Sequence, residues 1–416
     1  MRLGFYTGSV GQIGAGQTAV AALARALADL NHEVYLLETT LVRRGPGSRD
    51  GLLFWQEPLL PHLPRILLKR NRNACKAEVY DLANGAAQIA GAHRLQLDVL
   101  YTMHNTNVLG VLEFGVPRRL VFVMNLVGFG IDRERGGQRD TFPYQARIFG
   151  SPQWDLHLAA TKFEYSRYKA VYAGLGLPDS KLAHLSYGIN EAVFAPVSPQ
   201  KRADIRASLG FGPVGEQLVL VYPVNVYRRK NLELAIQTVG LLTKIKPTVL
   251  IITGSVWDRE YQTELIHQES DLGLRRSVQF LDGVSEARLV ELMNASDATI
   301  FTSHQETFGL GLVESLACGT PTVGPGWIPP CQEILSGLPG SYAVPDKRAE
   351  AMARAVLDSV AAAHDRRHIS AAATARYGTA TIAPQFLALV NPLVCQKQAR
   401  ERKLEEIDWR SLYGAL

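Results

Sequence analysis

His304-Gln-Glu-Thr-Phe-Gly-Leu-Gly-Leu-Val-Glu-Ser-Leu-Ala-Cys-Gly-Thr-Pro-Thr-Val323 reads as a strand end, a loop, a short helix, a glycine stop and the next strand. Gly319, with Pro321 just beyond it, terminates the helix, which places Phe308, Gly309, Leu310 and Gly311 at its N-terminus. Backbone N–H groups and the positive end of the helix dipole converge there and form a phosphate cradle without any basic side chain. Glu314 lies three and four residues after Gly311 and Leu310, on the side of that first turn, where a carboxylate accepts from a ribose diol. Glu306 precedes the helix at the carboxyl edge of the sheet, where ligands bind in open α/β folds and a carboxylate holds sugar hydroxyls. At this glutamate content about one Glu pair at a spacing of eight arises by chance, so the context carries the signal. The plainer reading is a pair of solvated loop and surface-helix acids.

Outward from this stretch, apolar runs of strand length alternate with segments of helical periodicity, the pattern of α/β layers with largely parallel sheets. Strands are predicted over 3–7, 33–38, 98–103, 120–124 and 156–160, with helices such as 15–30 and 75–92 between them. The alternation restarts over 218–222, 248–253, 278–281, 298–302 and 320–323. Tyr187-Gly-Ile-Asn190, Phe194-Ala-Pro196 and the polar Val197 to Arg202 mark the linker. The expected division is therefore 1–195, 196–383 and a helical, amphipathic tail over 384–416 that packs back on the first domain. Leu41 to Arg72, with Pro46, Pro58, Pro61 and Pro64, is expected to be loop or lid.

With 416 residues, 47% hydrophobic, the chain has material for two cores, and a net charge of +5 is too weak a signal for nucleic acid. Four cysteines without CxxC or Cys/His ligand spacing suggest neither a disulfide framework nor a zinc site. No stretch reaches the roughly 18 uninterrupted apolar residues of a membrane span. A cytoplasmic protein is expected. From Trp55 to Lys76, leucines alternate with Arg65, Lys69, Arg70 and Arg72, as in a helix lying on anionic lipid at the inner membrane face or in a basic-edged lid.

Glu306 and Glu314 with seven residues between, and Phe-Gly within, resemble the E-x7-E signature of retaining nucleotide-sugar glycosyltransferases of family 4 type. Asn31-His-Glu-Val34, Gly188-Ile-Asn190 with Phe194 and Pro196, and Phe280-Leu-Asp-Gly-Val284 continue the resemblance. It implies the GT-B fold: α/β, with two Rossmann-like domains whose parallel sheets face each other across a cleft. It also implies transfer of a hexosyl group from a nucleoside-diphosphate sugar, a UDP- or GDP-sugar, to a hydroxyl of a small molecule, glycan or lipid. No cofactor beyond that donor is expected, and no metal, in keeping with the lack of an Asp-x-Asp.

Tyr222-Pro-Val-Asn-Val-Tyr-Arg-Arg-Lys-Asn231 leaves a strand and enters a helix. The family holds the diphosphate there with an Arg and a Lys. Lys230 matches the lysine, but Asn225 stands nearest the expected arginine, which leaves Arg228 or Arg229 as its substitute. All three cations also fit a solvated helix start. Glu333, after Pro329-Pro330, resembles a family acid of the donor region. Gly14 and Gly16, in the loop Gly8 to Gly16, let backbone approach the donor phosphates closely. The same loop, with Glu38, also satisfies a loose dinucleotide pattern. His104 closes one strand on the acceptor side or serves as a structural histidine. Asn125 closes the next, where many relatives have a histidine; it can hydrogen-bond a sugar hydroxyl but shuttle no proton.

The resemblance thus assigns Glu306, Lys230 and Arg229 to catalysis. The competing readings are an NAD(P)-dependent oxidoreductase, a nucleotide-sugar epimerase or phosphorylase on the same fold, and a non-catalytic sugar-nucleotide-binding module.

Overall fold

The computed structural model describes residues 1–9, 15–40, 47–49, 52–58, 76–103, 105–125 and 148–405. It divides into two compact units, Met1–Gly188 with Ile382–Leu416, and Ile189–Thr381. The first unit contains β1 (Arg2–Ser9), α1 (Ala15–Asp29), β2 (Glu33–Thr40), β3 (Gly47–Arg49), β4 (Leu52–Pro58), α2 (Lys76–Leu95), β5 (Val99–Met103), α3 (Asn105–Phe114), β6 (Val121–Asn125), β7 (Leu156–Ala159), α4 (Lys162–Gly174) and β8 (Leu182–His184). The second contains α5 (Pro199–Ser208), β9 (Leu218–Tyr222), α6 (Leu232–Leu242), β10 (Thr248–Ile252), α7 (Arg259–Asp271), β11 (Val278–Phe280), α8 (Glu286–Ala295), β12 (Ala298–Ile300), α9 (Leu310–Ala317), β13 (Thr322–Pro325), α10 (Pro329–Leu335), β14 (Ser341–Val344), α11 (Ala349–Ala361) and α12 (Arg366–Tyr377). The long α13 (Thr379–Glu405) then returns the chain to the first unit.

The first sheet has the order β3-β4-β2-β1-β5-β6-β7-β8, parallel except for the antiparallel β3–β4 pair. The second, all parallel, has the order β11-β10-β9-β12-β13-β14. Its chain order reverses between β9 and β12, the switch point at which a doubly wound sheet opens a crevice outside its strand carboxyl ends. Both sheets are covered by helices, which explains the unbroken apolar runs: every residue of β5, β6, β9 and β10 is buried.

The expectation of loop over 41–72 is corrected by β3 and β4. Leu52 to Pro58 pairs parallel with β2, from Tyr35 opposite Leu53 to Thr40 opposite Pro58. The prolines flank an apolar, β-prone Leu-Leu-Phe-Trp run instead of interrupting it, so Pro58 ends a strand. Residues 41–46 and 59–75 lie outside the described residues. No helix among the described residues is long and apolar enough to cross a membrane.

Part of the first unit's core comes from the far end of the chain. Ile382, Ala383, Phe386, Val390 and Val394 of α13 pack with Leu3, Phe5, Leu27, Val99 and Tyr101. Phe386 is fully buried, with its ring centroid 5.8 Å from Phe5 and 6.2 Å from Tyr101. Lys397 fixes the same helix by donating to the Leu120 carbonyl and to Asp155, each at 2.6 Å. Trp409 and Leu412, also expected to pack, lie outside the described residues.

His157 on β7 is fully buried, with its ring 4.3 Å from that of Tyr168, and Nε2 has no hydrogen-bond partner among the described residues. Burial disfavours the imidazolium and pushes its pKa from 6.5 down to about 3. The unfolded chain takes up this proton below about pH 6.5 while the folded chain does not. The stabilising contribution is therefore complete above that pH and is lost as pH falls toward 3, by at most about 1.4 kcal/mol per pH unit. Urea unfolding followed through the first unit should show a falling midpoint between pH 6.5 and 4, and His157→Leu should flatten this slope. An equal slope in the variant would assign the loss to other groups.

In the second unit, Asp297 joins α8 to β12 and accepts from Arg202 at 2.7 Å, from Arg206 at 3.1 Å and from the Val219 amide at 2.8 Å. Arg206, 1% exposed, also donates to the carbonyls of Gly212, Ala295 and Gln217. Arg366 reaches the Ser296 carbonyl at 3.0 Å. The cations thus satisfy carbonyls at the end of α8, where the helix dipole is negative.

Candidate active site

The turn after β9 and the loop after β12 leave the sheet on the two sides of its switch point, and their backbones are stitched together. Tyr222, the last residue of β9, donates its hydroxyl to the Lys230 carbonyl at 2.8 Å and accepts from the Thr302 amide at 3.0 Å. Asn231, left-handed at φ 49°, donates its side-chain amide to the Thr302 carbonyl at 3.0 Å. Thr302 returns its hydroxyl to the Asn231 carbonyl at 2.7 Å, and the His304 amide donates to the Arg229 carbonyl at 2.9 Å. These bonds fix where Lys230 and Glu306 emerge.

Their side chains meet with Nζ 2.5 Å from Oε1, at 13% and 12% exposure, and Ser303 donates its hydroxyl to the same carboxylate oxygen at 2.7 Å. Burial alone would raise the Glu306 pKa, but the Lys230 charge and hydrogen bond, with Arg229 and Ser303, outweigh it and hold the carboxyl below its usual range. For Lys230 the burial penalty is likewise overcome, chiefly by Glu306, and its pKa is raised. Both groups are therefore charged at neutral pH, a cation and an anion placed side by side in a partly dry crevice.

Helix α9 begins beside them. Its N-cap, Gly309, has φ +97°, which disfavours any side chain, and a Cβ there would lie 2.8 Å from Leu312 Cδ1, which would have to shift. A Cβ on Gly311 would lie 3.1 Å from the ring of Phe301, the residue that follows β12, which shows how closely the first turn sits on that strand's end. In this first turn the Leu312 amide donates back to the Gly309 carbonyl at 2.9 Å, and the amides of Leu310 and Gly311 are the ones with no preceding helical carbonyl to serve. Further along the helix, the Glu314 side chain is 8% exposed and accepts no hydrogen bond from the described residues. Burial first, and Glu286 second, push its pKa up to about 8.

Arg229 donates from Nη2 to the Tyr227 hydroxyl at 2.6 Å, with its guanidinium 5.3 Å from that ring, while its buried Nε has no partner among the described residues. Arg228 turns elsewhere: it is exposed, makes a two-pronged contact with Glu264 at 2.9 and 2.6 Å and lies over the Tyr261 ring. Asn225 accepts from the Ser255 amide at 2.9 Å and so ties the turn to the loop after β10. Phe308 is buried edge-on against Tyr377, and Leu310 is buried in the first turn of α9. Glu333 is half-buried on α10, where its carbonyl accepts from Arg376 at 3.2 Å.

In the first unit, Asn125 ends β6, is 2% exposed and accepts from the Tyr187 hydroxyl at 3.3 Å; with Tyr101, Ser186 and Leu185 it lines a small pocket. Gly16 lies in the first turn of α1. Gly14 and His104 lie outside the described residues, and of the stretch 55–76 only Trp55–Pro58 in β4 and Lys76 in α2 are described. Tyr222, Asn231, Thr302 and Ser303, which hold the acid and base in place, carry no motif. Their signal in the sequence is positional: a tyrosine closing an apolar strand, and two hydroxyl residues between a strand and Glu306. Among the described residues no group of three or more His, Cys, Asp or Glu could hold a metal ion.

Residues 206–376 match the family model described as glycosyl transferases group 1. They form a group 1 glycosyltransferase domain. A D-inositol 3-phosphate glycosyltransferase of Mycolicibacterium gilvum is 31% identical over 138 residues, which are 33% of this chain and 29% of that protein. Further glycosyltransferases of that description are covered over 41% and 43% of their length, so the chain spans less than half of these curated relatives. Among solved structures, a sucrose-phosphate synthase from Thermosynechococcus elongatus superposes with a TM-score of 0.74 at 18% identity, over 95% of this chain and 99% of that one. Alr3699/HepE of Anabaena, in complex with UDP and glucose, has a TM-score of 0.70 at 16% identity over 94% and 100%. These likenesses extend through both units, and the fold is the GT-B fold. The Lys230–Glu306 pair, the α9 N-terminus and Glu314 all belong to the glycosyltransferase domain.

Proposed function

We propose that the protein is a retaining, metal-independent glycosyltransferase that acts in the cytoplasm and moves a hexosyl group from a UDP- or GDP-sugar to an acceptor hydroxyl. The reading is carried by the charged Lys230–Glu306 pair at the sheet's switch point, beside the first turn of α9. Departure of a nucleoside diphosphate builds negative charge, and Lys230, the Arg229 Nε that has no partner among the described residues, and the Leu310 and Gly311 amides at the start of α9 are donors for it. Glu306 positions the sugar ring, and Glu314 reads the ribose diol. The acceptor oxygen bonds to the anomeric carbon as the bond from that carbon to the diphosphate breaks. The acceptor proton passes to the departing diphosphate oxygen, so no dedicated carboxylate base is needed. Acceptor-side roles for His104 and Asn125, donor-side roles for Gly14, Gly16 and Glu333, and contact of residues 55–76 with anionic lipid are parts of this proposal that rest on the resemblance or on charge pattern.

A thermal-shift panel of UDP, GDP, ADP and their sugars tests the reading. A nucleotide at 100 times its dissociation constant adds about 2.7 kcal/mol. No shift with any nucleotide would remove it, and the anomeric configuration of the product, read by NMR, decides retention. The raised pKa of Glu314 adds a signature. If the ribose is read by the carboxylate, binding must release the proton held below about pH 8. Nucleotide affinity should then rise up to about tenfold per unit between pH 6.5 and 8 and level off above. Glu314→Gln should bind more weakly and without this slope; a wild-type profile flat across that window would refute the assignment of Glu314.

A further inference from the structure

Trp257 is 60% exposed, and its ring stacks on Tyr227 at 5.2 Å between centroids and 25° between planes. It precedes Asp258, the N-cap of α7, a position where an apolar residue ordinarily packs against the fourth residue of the helix. Here that residue is Gln262, so helix capping gives no reason for an indole. Its backbone, by contrast, is held firmly. The amides of Trp257 and Asp258 both donate to the Val226 carbonyl at 3.1 Å, and the Val226 amide donates to the Ser255 carbonyl at 2.9 Å. A Cβ on Gly254 would lie 2.3 Å from the Val224 carbonyl oxygen, so the two loops touch backbone to backbone. Trp257 is thereby clamped to the turn that carries Lys230.

The Tyr227 ring links the two ends of this arrangement. One neighbour is Trp257; the others are the Arg229 guanidinium at 5.3 Å and the Lys230 ammonium at 5.7 Å. Cations that suit a diphosphate and an indole with one face open therefore stand two short steps apart, on loops fixed to each other.

We propose that the open face of Trp257 is the stacking platform for the nucleobase of a nucleoside diphosphate whose phosphates lie at Lys230 and Arg229. This rests on the donor-site reading above and adds how the site holds the base: by the face of the ring, which any base presents. Tyr227 backs the indole and holds its plane, so little ordering is left for a ligand to cost.

Calorimetric titration of the wild type, Trp257→Ala and Trp257→Phe with UDP, GDP, ADP and inorganic diphosphate tests the platform. Loss of the indole should weaken the nucleoside diphosphate that the wild type binds by about 5- to 150-fold, the range for one base on one aromatic ring. Inorganic diphosphate should bind the alanine variant as it binds the wild type, and Phe should recover most of the nucleotide affinity. Unchanged nucleotide affinity in Trp257→Ala, or an equal loss for inorganic diphosphate, would overturn the proposal while leaving the phosphate site standing. Failure of the donor-site reading looks different: Lys230→Ala would then bind every one of these ligands as the wild type does, and the platform would fall with it.

Discussion

Lys230→Ala is expected to lower glycosyl transfer by a factor of about 100 to 1,000 or more, the range for removing one donor aimed at developing charge, and Glu306→Gln, which removes the carboxylate that positions the sugar ring, is expected to lose transfer as well. They should fail differently. Without Lys230, nucleoside diphosphate binding weakens as well, and Glu306 is left 12% exposed with only Ser303 and the more distant Arg229 to hold its charge. Its pKa therefore rises, and a drop in melting temperature accompanies the loss of activity. Glu306→Gln keeps the length of the side chain and an acceptor for the Ser303 hydroxyl but frees Lys230 from its internal anion. The diphosphate then no longer competes with a carboxylate, so product nucleotide should bind at least as tightly as before while transfer is lost. Nucleotide titration beside a turnover assay distinguishes the two. Full transfer by either variant would remove the site assignment.

Asp297→Ala is expected to produce the largest stability loss. It strips the carboxylate from Arg202 and Arg206, and the Arg206 side chain is 2% exposed, so no water replaces the lost partner. Removing one member of a buried ion pair costs about 3–5 kcal/mol, which in a domain of this size lowers Tm by roughly 10 °C. The Val219 amide loses its acceptor as well, at the start of the central strand of the second sheet. The charges themselves are not what the site needs. Arg206→Met combined with Asp297→Leu should recover part of the loss, because the most deeply buried of the two stranded charges is then gone and only the Arg202 guanidinium, 15% exposed, is left without its carboxylate. Melting curves of the single and double variants decide this, and additive losses would show that shape, not charge balance, is what Asp297 supplies.

How much of this was legible before the coordinates depends on what each residue's pattern encodes. The strand over 218–222 coincides with β9, and α9 is bounded by the glycines named for it, because buried parallel strands and glycine-stopped helices write themselves into consecutive residues. Glu306 and Lys230 were legible as a motif and a turn, but their direct pairing was not. It depends on Tyr222, Thr302 and Asn231 joining two loops far apart in the chain, and long-range hydrogen bonds leave no local period. Arg228 and Arg229 are adjacent in sequence, and only the fold separates the one on Glu264 from the one beside Tyr227. β4 is hard to read from the sequence because the prolines around it signal loop, while the short apolar run they enclose is what pairs with β2. Asp297 was hidden for a related reason: its importance lies in what a short helix leaves unsatisfied at its end.

The contribution of α13 to the first unit has a consequence for synthesis. Phe386, Val390 and Val394 are the last large pieces of a core whose other parts include Leu3 and Phe5. A ribosome releases the whole of 189–381 before it supplies them. The second unit, contiguous in sequence, can reach its native packing while the first is still unfinished. The nascent first unit then waits with an apolar face uncovered until α13 emerges, and chaperone demand for this chain should concentrate in that interval.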